Sequence, residues 1–140
     1  MDGGLNLAVA NSHLGMDVEN LEDALQFFES IFQLKPYIFD KIRRNFTVQF
    51  GNMDISVFET SVLDFNKLNH GPSFHIGLKV DSIDKLNDIY VKSLSNLLCV
   101  ENTGIFDRTD GDKAFFFRGL SNFRFEVFYG EHKLASGRIL

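Results

Sequence analysis

Two histidines and one glutamate are the side chains of this sequence whose spacing can do chemistry. His13 opens the stretch His13-Leu14-Gly15-Met16-Asp17-Val18, and 62 residues later His75 opens His75-Ile76-Gly77-Leu78-Lys79-Val80. Glu126 lies in Phe123-Arg124-Phe125-Glu126-Val127-Phe128-Tyr129. A carboxylate in so apolar a strand is unfavourable unless it is paired, hydrogen-bonded or bound to a cation. Two imidazoles and a carboxylate can hold a divalent ion and leave coordination positions open. Through an open position the ion polarises a substrate oxygen or activates water. The alternative is a metal-free pocket that keeps the same residues.

The repeat defines the elements that must position these groups. Alternation predicts a strand over 12–18, with Leu14, Met16 and Val18 on one face and His13, Gly15 and Asp17 on the other. Asn20 caps a helix over about 21–33, whose stripe is Leu21, Ala24, Leu25, Phe28, Ile31 and Phe32. Strands follow near 36–40, 44–50 and 53–59, the last two joined by a Gly51-Asn52 hairpin turn. After a connector the order restarts: a strand over 73–80, a helix over 83–95 capped by Ser82, and strands near 97–102, 112–118 and 123–129.

The second helix has the stripe Ile83, Leu86, Ile89, Tyr90 and Leu94. The chain is thus one domain: module one about 12–60, connector 61–72, module two about 73–130 and tail 131–140. The last strands align with Ser56 against Glu126, 70 residues apart, so module two holds eight more residues, placed in the loop 103–111. The expected fold is α+β, with two βαβββ modules forming a cupped mixed sheet and helices on its outer face.

On the concave face, Ser56, Arg124 and Phe128 stand where a substrate is touched, although Arg124 can equally form an inward salt bridge. Phe46, Phe50 and Phe58 are expected as aromatic pocket walls. Glu59 has helix-side parity, which argues against a catalytic base. His70, beside Gly71-Pro72, reads as a loop residue, and His132 as part of a solvated tail. No catalytic base is assigned.

The bulk numbers narrow the partners. A net charge of −5 disfavours nucleic acid, which requires a basic face. The one basic cluster, Lys41-Ile42-Arg43-Arg44, reads as a solvated turn or as a contact for an anionic substrate. No apolar run approaches the roughly 20 residues of a membrane span. The single cysteine, Cys99, is expected as a small buried hydrophobe in a reducing compartment, so the protein is expected to be cytoplasmic.

The segments His13–Leu34, His75–Leu86 and Ala114–Tyr129 resemble the vicinal oxygen chelate superfamily over about residues 12–130. That superfamily includes glyoxalase I, fosfomycin-resistance proteins, extradiol dioxygenases and bleomycin-resistance protein. The resemblance implies paired βαβββ modules and a metal held by His13, His75 and Glu126, the ion being Zn, Mn, Fe, Co or Ni. It implies lyase, isomerase, transferase or dioxygenase chemistry on a small oxygen-bearing substrate. The other reading it allows is a metal-free drug- or metabolite-binding protein. It also implies a homodimer, with His13 of one subunit meeting His75 and Glu126 of the other. Glyoxalase I takes a fourth ligand from the slot that here holds Ser56, a poor ligand, so the likeness is to the superfamily rather than to that enzyme.

Overall fold

The structure is a computed structural model that describes residues 12–68, 70–96, 98–101, 104–108 and 111–130. The expectations for the tail and for His132 lie outside the described residues. Alternating apolar side chains give strand β1 (Ser12–Val18), with Met16 and Val18 buried and His13 exposed. The Asn20 side chain accepts from the Asp23 N–H and starts helix α1 (Leu21–Phe32). Strands β2 (Ile38–Asp40), β3 (Asn45–Phe50) and β4 (Met53–Glu59) complete module one.

Module two repeats the plan with β5 (Ile76–Lys79), α2 (Ile83–Ser95), β6 (Cys99–Val100), β7 (Phe106–Asp107), β8 (Lys113–Arg118) and β9 (Arg124–Tyr129). Here Ser82 accepts from the Lys85 N–H as helix cap. The strand expected over 97–102 is only two residues long, and the surplus of module two forms the additional strand β7. Both β6 and β7 pair with β8, so the insertion is an excursion from one sheet edge.

The modules form two sheets, ordered β1-β4-β3-β2 and β5-β9-β8-β6. In each, the first strand runs parallel to the last: His13 stands opposite Asp54, and Gly77 opposite Glu126. β1 and β5 each form one edge of their sheets. One apolar cluster joins the modules. Phe28 of α1 packs edge-on against Phe46 of β3, while Phe27 lies against Phe125 of β9. Phe27 was not part of the expected stripe; its burial comes from reaching the other module's sheet.

Several expectations are corrected. Phe46 is fully buried on the helix side and Phe50 meets Phe32 of α1, so neither is a wall of the concave face. Phe58 does lie on that face, over Gly15. Cys99 is exposed, because β6 lies at the edge of its sheet. Leu94 is exposed too; Ser93 is buried in its stead and returns its hydroxyl to the Ile89 carbonyl.

Candidate functional site

The site is built on the face of the second sheet that turns away from the core. Phe125 and Val127 of β9 point into the core, which sets Arg124, Glu126 and Phe128 on the opposite face. Glu126 is buried there at 6% exposure and does not stand alone. Its Oε1 lies 3.3 Å from Nε2 of His75, and its Oε2 accepts from Arg108 at 3.0 Å. Gly77, opposite Glu126 on β5, keeps the approach open. A β-carbon there would stand 3.4 Å from the Phe128 ring and 3.6 Å from Glu126 Oε1.

The tautomer of His75 follows from its other nitrogen. Nδ1 lies 2.9 Å from the Ser73 carbonyl oxygen, which can only accept. Nδ1 therefore carries hydrogen. In the neutral ring Nε2 then presents a lone pair to a carboxylate oxygen. Two acceptors at that separation call for a shared positive charge, either a proton on the ring or a cation bound by both. Two ligands at roughly 2.0–2.2 Å from one ion stand about 3–3.5 Å apart, so the pair fits a divalent metal. The carbonyl behind His75 and Arg108 behind Glu126 orient the two donors as outer partners of metal ligands do.

Phe116 floors the site. The His75 ring meets it edge-on at 5.3 Å, and the Arg124 guanidinium lies over it at 3.9 Å. Arg124 also makes the inward salt bridge, donating to Glu101 at 2.6 and 3.0 Å. That guanidinium holds the Glu101 carboxyl below the usual carboxylate range. Phe128 lies beside Gly77, with the Arg108 guanidinium 5.5 Å from its ring centre.

The first sheet holds the remaining expected residues. His13 is exposed on the outer strand β1. Ser56 is buried, its hydroxyl 2.9 Å from that of Thr47. Among the described residues no three His, Cys, Asp or Glu side chains cluster as a metal requires. Within one chain, then, His75 and Glu126 are brought together and His13 is not. Glu59 is structural: it accepts from the Leu21 N–H and accepts two bonds from Arg44. Arg44 therefore serves the fold rather than an anionic substrate. Arg108 escaped the sequence reading. Its signal was the eight-residue surplus of module two, which carries it on the loop after β7.

No protein-family model matches this chain, and no curated protein matches it in sequence. Solved structures do match in shape. The fosfomycin resistance protein FosX from Listeria monocytogenes superposes with a TM-score of 0.70 at 16% identity, covering 95% of this chain and all of that one (100%). A glyoxalase/bleomycin resistance protein/dioxygenase from Alicyclobacillus acidocaldarius gives 0.66 at 17%, over 88% and 94% of the two chains. Lactoylglutathione lyase from Agrobacterium tumefaciens gives 0.65 at 13%, over 89% and 96%. With two βαβββ-type modules and these structural neighbours, the chain has the fold of the vicinal oxygen chelate superfamily.

Proposed function

We propose that this protein is a metal-dependent enzyme of the vicinal oxygen chelate type, acting on a small oxygen-bearing substrate. The observation that carries the reading is the His75–Glu126 pair: a lone pair and a carboxylate oxygen 3.3 Å apart, in a ring whose other nitrogen is committed to Ser73. His75 and Glu126 would hold the ion, while Arg108 donates to Glu126 Oε2. His13 of a second copy completes the donor set. When bound there, such an ion would supply Lewis acidity towards substrate oxygens. Phe116 and Phe128 exclude water from one side, and Arg108 presents positive charge beside the place where an oxyanion develops. Lyase, isomerase, transferase and dioxygenase chemistry all use such a centre.

The test is metal content. Protein loaded with zinc or manganese and dialysed is expected to retain about one ion per chain, and to lose it in His75→Ala and Glu126→Gln. Full-length protein that retains none of Zn, Mn, Fe, Co or Ni overturns the reading. One observation favours a second reading, a metal-free binding protein: Arg108 already offers Glu126 a positive partner at 3.0 Å. In that case metal is refused and a small ligand still binds the cleft.

A further inference from the structure

A second basic feature lies on the same sheet face, one strand repeat from Glu126. Arg118 and Arg124 stand directly opposite each other across β8 and β9. Like charges so placed repel. The charge of Arg124 is met by Glu101, whose carboxylate accepts two hydrogen bonds from the guanidinium. Arg118 has no carboxylate partner among the described residues; its Nη1 donates to the Asn122 carbonyl at 3.2 Å. Glu101 senses Arg118 through space but is bonded to Arg124. In a chain of net charge −5, this is a local excess of positive charge.

The two arginines line a concavity of about 280 Å³ together with His70, Phe74 and Asn122. The His70 ring stacks on Phe123 at 5.1 Å and lies 5.0 Å from Phe74, which holds the connector against the sheet. The volume lies just under the roughly 300–1,000 Å³ of pockets that take a whole ligand, so it suits one functional group of a larger molecule.

We propose that this concavity is an anion-binding subsite, with Arg118 as its main donor, for the carboxylate or phosphate end of a small ligand. A guanidinium with open N–H groups recognises both anions in bidentate fashion. Its relation to substrate rests on the function proposed above. Arg124 and Glu126 are two residues apart on one strand face, a separation of about 7 Å. The substrate class is then a small anionic molecule whose charged group lies about that distance from its metal-facing oxygens.

The test uses chelator-treated, full-length protein titrated with inorganic phosphate and, separately, with acetate, followed by NMR shifts of arginine Nε–H and the His70 ring. Saturable shifts centred on Arg118 are expected, and the tighter of the two anions identifies the charged group. Arg118→Gln is expected to weaken binding about tenfold or more, the scale of a charge-assisted hydrogen bond. Glu126→Gln, which abolishes the proposed metal centre, is expected to leave anion binding in place, so the two ideas fail separately. No saturable shift with either anion, or equal binding by Arg118→Gln, overturns the subsite. If Arg118→Gln disturbs the fold, the wild-type titration still decides: saturable shifts centred away from Arg118 and Asn122 overturn it as well.

Discussion

At the scale of residues, the pair His75 and Glu126 owes part of its geometry to the main chain of its neighbours. Ser73 sets the ring by its carbonyl, and Gly77 leaves open space before Glu126 Oε1. The distances at Gly77 separate two substitutions. A methyl group there makes ordinary contacts of 3.4 Å with Phe128 and 3.6 Å with the carboxylate. A branched side chain extends further into the approach. Gly77→Ala is therefore expected to keep zinc affinity near wild type. Gly77→Val is expected to lower it about tenfold or more, as overfilling a packed site costs about 1–3 kcal/mol. Chelator competition measures both, with circular dichroism as the check on folding. Equal affinity of the two variants would place the ion elsewhere.

At the scale of elements, the start of α1 is tied to the end of β4 by a small ionic network. Glu59 accepts from the Leu21 N–H at 2.8 Å and from Arg44 at 3.0 and 2.8 Å, while Arg44 also reaches Glu22 at 2.7 Å. The Arg44 guanidinium and then the Leu21 N–H lower the Glu59 carboxyl from 4.5 to about 2. A carboxyl depressed on folding stabilises the protein above its unfolded value, and that contribution fades as pH falls through the folded one. The network is thus expected to hold at neutral pH and to be lost between about pH 4.5 and 2. In urea unfolding, Glu59→Gln should lower the midpoint at pH 7 and flatten its fall across this acid range. An unchanged acid slope would show that other carboxylates dominate acid unfolding.

At the scale of the whole molecule, β1 and β5 each form one edge of their sheets, and each carries or borders one of the expected histidines. Outer strands present unpaired backbone groups that suit pairing with another chain. A two-fold dimer that brings β1 of one copy to β5 of the other would create two equivalent centres. Mixing His13→Ala protein with Glu126→Ala protein, with subunit exchange verified by light scattering of size-tagged copies, is expected to restore metal binding. Mixed dimers would hold one intact centre in two. Exchange without recovery would confine each centre to one chain, and a monomer at micromolar concentration would remove the arrangement.

Much of this was legible in the residues, because periodicity is local. The alternation through His13–Val18 and the stripe through Leu21–Phe32 reproduce β1 and α1 to within a residue, and the repeat foretold both modules. The same pleat argument placed His75 and Glu126 on one face, where they meet. Tertiary structure alone decided the rest. Arg108 sits in an insertion with no period, so nothing local shows that it would reach Glu126. Cys99 lies in an apolar run, yet its strand ends at a sheet edge and leaves it exposed. Phe46 shares the composition of a pocket wall, but its parity on β3 sends it to Phe28. Likewise the repeat and the family resemblance name His13 as a partner of His75 and Glu126, while among the described residues of one chain no such trio comes together. Pattern determines which face a side chain takes; which faces then meet depends on contacts between residues far apart in the chain.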